Sequence, residues 1–446
     1  MSRSGLAEAK AGIARDDPRL RVSQRQLRRE ADDAMDVGPY SVVLKSKVPP
    51  TGDKHDYLSL APYVWPDPAK PNGLPYVGRD GFTNPEWWQD YDRVPLERLT
   101  QATETLALAY YLFGQEHHAH RAAHLLRTWF LDPATAMRPD VQFAQIVPGQ
   151  HSGRAHAIDT RFLPRIIDAV GLLAGSRAWT EADQAGMVAW FREFVGNQRR
   201  RADDTYRAAG TNIASFYHAQ VAAQALFIGD EGLAREMIAR TRERLRDAVG
   251  ADGYFIVERN RTRSFSYSCF HLFALFNLAT LGRHVGLDLW NFTIEDDRGL
   301  RKALDAVAAH TGPYPPTSWP FKETGRTPGD WWDPVHDQLP VVLFHAAREY
   351  RNEAYERQAV RLFADPAAFE SHRLYLLCGI PLVGQQSLRG WLFRPSSAGH
   401  SNLSSLPVPS PLVRQTDSHL RIPAPPAGVQ PEPIGSVRNR LDMLAK

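Results

Sequence analysis

The sequence predicts an all-α protein, and three observations carry that expectation. From Pro95 to Phe363, apolar residues recur at helical spacing in stretch after stretch. The stretches come in pairs joined by short breaks, as antiparallel hairpins do. Strand patterns are scarce. A bundle, a solenoid and a toroid of helical hairpins all fit such a pattern. So many pairs do not fit around one bundle core, which favours the toroid. No strict repeat is visible, which disfavours tetratricopeptide and ankyrin arrays.

The elements follow in order. Residues 1–45 read as a helical lead-in whose mixed charges suit an exposed helix or two. From Val48 to Arg93, proline, glycine, aspartate and aromatic residues replace any helical period, and so long a loop inside a compact domain is usually functional. Pro95–Gly114 starts on proline, whose missing N–H costs nothing in a first turn, and stops on glycine. His117–Leu131 follows after a short break. Thr160–Gly175 and Thr180–Gln198 form the next pair, the second opened by a threonine cap with acids in its first turn. Asn212–Ile228 and Gly232–Val249 are joined across Gly229-Asp230. Ser266–Gly286, Leu300–His310, Val335–Tyr350 and Tyr355–Phe363 complete the array. After Phe393 the chain turns Pro- and Ser-rich with little to bury. Residues 1–393 are therefore expected to form a single toroid domain with the irregular aromatic segment 48–93. Residues 394–446 are expected to form a flexible or polyproline-like extension.

Composition narrows the function classes. The chain has 446 residues, 43% hydrophobic and 23% charged, as in ordinary globular proteins. Its net charge of +3 gives no reason to expect nucleic acid or an anionic membrane as a partner. An acidic substrate would then be held by a few local cations, such as Arg263 and Lys54. Two cysteines fall short of a disulfide framework or a structural zinc site. No run reads as a membrane span, and the N-terminus has no apolar signal core, so a cytoplasmic location is expected. His120 and His124 stand at metal-ligating i, i+4 spacing but lack further ligands in the usual pattern, so no metal site is expected. No phosphate-cradling loop, nucleophile elbow or dinucleotide fingerprint is present. The 11 Trp, 15 Tyr, 20 Phe and 16 His suit a ring-bearing ligand, although such residues also fill cores.

Two helix mouths hold the residue types that proton chemistry needs. Asn212 opens one helix, with Tyr217 and His218 after it; Arg259, Arg261 and Arg263 precede Tyr267 at another. Asn and Arg bind carboxylates, and Tyr or His moves protons. On composition alone a structural reading is favoured: Asn212 as a helix cap, Tyr267 as a core aromatic, the arginines as a solvated turn. The polar run Gln145–Arg161 adds Gln145, His151, Arg154, His156, Asp159 and Arg161, with Asp159 or Thr160 also readable as a cap. The irregular segment contributes Lys54, His55, Asp56, Tyr57, Tyr63, Trp65, Tyr76, Arg79, Trp87 and Trp88.

Several segments, in order, resemble the alginate lyase family of polysaccharide lyases. They are GDKHDYLSLAPYVWPDP (Gly52–Pro68), RDGFTNPE (Arg79–Glu86), ETLALAYYLFGQEHHAHRAAHLLRTWFLDPAT (Glu104–Thr135), IDTRFLPRIIDAVGLL (Ile158–Leu173), QVAAQALFIGD (Gln220–Asp230) and RTRSFSYSCF (Arg261–Phe270). The resemblance runs from Ser41 to His310. It implies an incomplete (α/α) toroid with a deep cleft across its mouth, and β-elimination at a uronate. That chemistry neutralises the carboxylate, removes the C5 proton and protonates the departing glycosidic oxygen, with no cofactor. Aligned on Gln220-Val221-Ala222-Ala223, Asn212 falls on the family's asparagine and Arg263 on its arginine. Ile213 stands where the family has histidine and cannot take a proton. Phe270 stands where some members have a catalytic tyrosine, with Tyr267 one turn earlier.

The resemblance thus implies a catalytic set of Tyr267, Arg263, Asn212 and His218, with His151 or His156 as other substitutes for the missing histidine. Lys54, His55, Tyr57, Trp65, Arg79, Gln145, His151, Arg154 and His156 are expected to bind substrate. Three functions fit. The first is a lyase for uronate-containing glycans or oligosaccharides. The second is an intracellular enzyme of the same fold turned to elimination, dehydration or cyclisation of a small metabolite. The third is a catalytically inactive glycan-binding relative. The expected partner is an acidic small molecule or oligosaccharide, and oligomeric state is left open.

Overall fold

In the computed structural model the described residues are 3–150, 158–206, 209–311, 320–323, 333–363, 369, 372–373 and 376. The expected extension 394–446 lies outside them, as do His151, Arg154 and His156.

Helices dominate because the apolar periods are long and are punctuated by residues that end them. The lead-in forms α1 (Arg3–Ala14) and α2 (Arg21–Met35). Next come α3 (Arg93–Phe113), α4 (Glu116–Phe130), α5 (Leu163–Leu172) and α6 (Glu181–Tyr206). Then follow α7 (Asn212–Phe227), α8 (Glu231–Ala248), α9 (Ser264–Gly282) and α10 (Leu300–Ala308). The series ends with α11 (Pro334–Asp337), α12 (Leu339–Glu349) and α13 (Glu353–Arg361). Gly114 ends α3 at φ +72°, a left-handed conformation that costs glycine little.

Three boundaries depart from the sequence reading, each for a local reason. The helix expected from Thr160 starts at Leu163, with Pro164 in its first turn. Helix α6 runs on to Tyr206 because its polar second half contains no breaker, and Asp203 anchors it to Arg240 and to the Tyr217 hydroxyl. The helix expected over Val335–Tyr350 is two helices, since Pro340 has no N–H to continue the ladder.

The helices divide by how much of their surface is apolar. In α7, thirteen of sixteen residues are buried, and in α9 fifteen of nineteen, whereas α8 between them buries nine of eighteen along one stripe. The two enclosed helices pack on each other. In sequence, α3, α5, α7, α9 and α12 are successive neighbours, with α4, α8, α10 and α13 each against the helix that precedes it. This is an incomplete (α/α) toroid; α3–α4 and α7–α8 pack as the expected hairpins, whereas α6 packs on α4 and α7 rather than on α5. One sequence expectation is corrected here. The stretch Ser264–Val285 is long and apolar enough to cross a membrane by length and composition, and 78% of its apolar window is buried inside the fold. Its apolarity follows from its place in the inner layer.

Short strands order the irregular segment. β1 (Leu58–Leu60) pairs in parallel with β4 (Phe143–Ile146), and β2 (Val64–Trp65) pairs antiparallel with β3 (Val77–Gly78). A buried lysine pins the start of this segment. Lys45 Nζ donates to the carbonyls of Val42 (2.7 Å), Lys54 (2.7 Å) and Asp56 (3.0 Å), and lies 2.9 Å from Asp92 Oδ2. Asp92 also accepts the Leu58 N–H at 2.8 Å, so one acid ties β1 to the start of α3. Burial pushes the Asp92 carboxyl up to about 7, against the pull of Lys45.

Candidate functional site

The irregular segment meets the mouth of α9 at a pair of tyrosines. The Tyr267 hydroxyl donates to the Tyr63 hydroxyl at 2.7 Å. The Arg261 guanidinium lies 3.7 Å from the centre of the Tyr267 ring. Arg261 is held there by Asp80, whose carboxylate also accepts from the Thr262 N–H and hydroxyl. Tyr267 packs with Phe216, Phe270 and Ala274, against Tyr63, Ile158 and Phe273. Burial raises the Tyr267 phenol well above its ordinary value and Tyr63 adds to that, while the Arg261 charge works in the opposite direction.

Behind this pair lies a buried polar network that sequence reading missed. Glu258, wholly buried in a short turn before α9, accepts from both the backbone N–H (2.7 Å) and Nδ2 (2.6 Å) of Asn212 at one oxygen. His271 of α9 places Nδ1 3.4 Å from the same oxygen, while its Nε2 is 2.8 Å from the Ser215 hydroxyl. The Phe255 ring stacks on the imidazole at 4.3 Å. Arg244 reaches Ser215 from α8 at 3.4 Å and donates to the Ala209 carbonyl at 2.6 Å. Burial alone would raise the Glu258 carboxyl; His271 and the two Asn212 donors outweigh it and hold the group below the ordinary value. These contacts join residues far apart in sequence, so no local motif announces them.

A second hub sits where β1 and β4 meet. Asp159 accepts from Tyr57 Oη (3.1 Å), Ser59 Oγ and Gln145 Nε2 (2.8 Å). Gln145 holds φ +53°, in the left-handed region that non-glycine residues rarely adopt, and its N–H donates to Ser59 Oγ at 2.7 Å. Asp159 is therefore an acceptor hub rather than a helix cap. Thr160 likewise spends its hydroxyl on Gln220 of α7, at 2.8 Å.

The expected catalytic residues are placed unevenly. Tyr267 is at the meeting of loop and helix mouth. Asn212 is the first residue of α7, not its cap; Thr211 caps by accepting the Ala214 N–H. Both Asn212 and Arg263 are buried, and Arg263 pairs through its backbone with Glu323, whose carboxylate accepts from Ser266. His218 does not join them. It is fully buried beside Arg240 and Arg244 of α8, and burial, then those charges, push its imidazole well below the usual value. Phe216, in the aromatic cluster, is two residues earlier, and helix positions two apart face different ways. Ile213, at the family's histidine position, packs against the main core, and the Phe270 ring lies tilted against Phe216 with centres 4.2 Å apart.

The expected binding residues that are described lie in the irregular segment and, for Gln145, in β4. His55 Nδ1 donates to the Ala136 carbonyl (2.7 Å), and Lys54 is partly buried with its carbonyl on Lys45. Trp65 donates to the Phe82 carbonyl (2.9 Å), and the exposed Arg79 sits 5.3 Å from its ring centre. Tyr57 and Gln145 are buried on Asp159.

Comparison with known proteins identifies the family and the fold. The family model described as alginate lyase matches residues 41–319. The crystal structure of an alginate lyase from Bacteroides ovatus is 31% identical, with a TM-score of 0.77 over 85% of this chain and 98% of that chain. Alginate lyase A1-III from Sphingomonas species A1 is 16% identical, with a TM-score of 0.45 over 80% of this chain and 95% of that chain. No curated protein matches. With a family model over more than half its length and a relative this similar over nearly all of its own, the chain belongs to the alginate lyase family and is a polysaccharide lyase by family.

Proposed function

We propose that this protein cleaves a uronate-containing glycan or oligosaccharide by β-elimination, with Tyr267 moving the proton. The observation that carries the reading is the Tyr267–Tyr63 hydroxyl pair beneath Arg261, at the mouth of α9, in a chain of this family. Tyr267 as phenolate takes the C5 proton. The C5–H electron pair becomes the C4=C5 double bond, and the C4–O bond breaks toward the leaving oxygen. The phenol so formed returns its proton to that oxygen, so one residue serves as base and then acid. A hydroxyl rotates freely, so Tyr63 turns to donate to the phenolate. Arg261 stabilises the same anion through the ring.

Asn212 and Arg263 are assigned here to ordering the mouths of α7 and α9, because the Asn212 donors are spent on Glu258 and Arg263 has no exposed surface. With a phenol as base and the histidine position filled by Ile213, turnover is expected to rise toward alkaline pH, with no limb near the ordinary histidine value.

The test is incubation with alginate, polymannuronate, polyguluronate and glucuronan, following the ultraviolet absorbance of the unsaturated uronate. A rise on any of them supports the reading. Binding with no rise at any pH replaces it with a catalytically inactive glycan-binding relative. Neither binding nor a rise removes uronate glycans and leaves the small-metabolite alternative.

A further inference from the structure

Near the tyrosine pair Arg261 is paired with Asp80, whereas Arg161, like the exposed Arg79, makes no ion pair among the described residues. Its guanidinium lies 4.1 Å from the Phe162 ring centre and 5.6 Å from that of Phe270. Its Nη1 donates to the Ile158 carbonyl at 2.9 Å. Phe270 and Ile158 both belong to the aromatic cluster that carries Tyr267 and Tyr63. The residue as a whole is partly exposed.

Two carboxylates act on Arg161 from neighbouring elements, and both are committed elsewhere. Glu97 pairs with Arg93 at 2.8 Å, and Asp159 accepts from Tyr57, Ser59 and Gln145. Among the described residues none lies within ion-pair distance of Arg161. Desolvation and then the nearby Arg93 charge push its guanidinium down to about 9. A cation so placed is stabilised when an anion enters its fork, and a carboxylate matches that fork with two parallel hydrogen bonds.

We propose that Arg161 binds the carboxylate of a substrate uronate beside the Tyr63–Tyr267 pair. Phe162 and Phe270 flank the guanidinium, and its unpaired edge receives the carboxylate. This assignment rests on the uronate reading above and adds a cation to it on the Phe270 side of the pair, since Arg261 is occupied by Asp80 and Arg263 is buried.

The experiment compares wild type with Arg161→Ala and Arg161→Lys in the full chain, using whichever uronate polymer the wild type cleaves. It also measures calorimetric binding of a tetrasaccharide of that uronate and of its carboxyl-reduced counterpart. Loss of a charged, two-point contact predicts that Arg161→Ala raises KM and weakens acidic tetrasaccharide binding by about tenfold to a hundredfold. Arg161→Lys is expected to recover part of the loss, because it restores the charge but not the fork. Affinity for the carboxyl-reduced sugar stays unchanged, and melting curves of the variants show that each is folded. Wild-type cleavage with Arg161→Ala within about twofold in KM and binding overturns the Arg161 assignment and leaves the function standing. If the wild type neither cleaves nor binds any uronate, the functional reading fails and the Arg161 assignment falls with it.

Discussion

Tyr63 and Glu258 make different kinds of contribution, and substitution separates them. Tyr63→Phe removes only the partner of the Tyr267 hydroxyl, so it is expected to lower kcat by about tenfold with little change in KM or stability. Glu258→Ala leaves two Asn212 donors and the His271 side chain without their acceptor in a fully buried place. It is expected to cost about 3–5 kcal/mol in urea unfolding, as for other broken buried pairs. Glu258→Gln keeps an acceptor for Asn212 and is expected to cost clearly less; equal losses would mean that the network does not depend on that oxygen. The arginines that crowd the turn just before Tyr267 are what singled that residue out in the sequence. Glu258, Ser215 and His271 were not singled out, because they look like ordinary helix and turn residues until the fold brings three segments together. His218 misled for the complementary reason: its distance from Asn212 along the chain is short, but its direction around α7 is wrong.

At the scale of elements, caps and breakers were the readable signals. Thr180 was legible as the start of α6, and its hydroxyl accepts the Asp183 N–H while Asp183 accepts the Thr180 N–H. Asp183 also pairs with Arg127 of α4, and that hydrogen bond, more than any other influence, holds its carboxyl down to about 2. A depressed carboxylate contributes stability above its ordinary value that is lost as pH falls through the folded value. Asp183→Asn should therefore lower Tm fully at neutral pH, with the gap to wild type closing between about 4 and about 2. A gap that stays constant down to the lower limit would show that charge contributes nothing there. The start of α5 and the split between α11 and α12 were misread because proline positions, rather than apolar period, decide where those helices begin. The pairing of β1 with β4 was illegible, since a parallel pair joins segments that share no local signal.

At the scale of the molecule, the inner layer of the toroid should be its most stable part. Helices α7 and α9 are enclosed on nearly all sides, so their amides should exchange with solvent most slowly, and those of α1 and α13 much faster. Uniform exchange across the layers would contradict the inner–outer division. The same layering places the mouths of α7 and α9 beside the irregular segment, where Tyr267 meets Tyr63. The most direct test of the functional account is kcat for Tyr267→Phe on the uronate polymer that the wild type cleaves, with oligouronate binding measured in parallel. The account predicts a loss of about a hundredfold to ten-thousandfold in kcat with binding retained. Turnover within about tenfold of wild type would contradict it, and the proton would have to move through another residue.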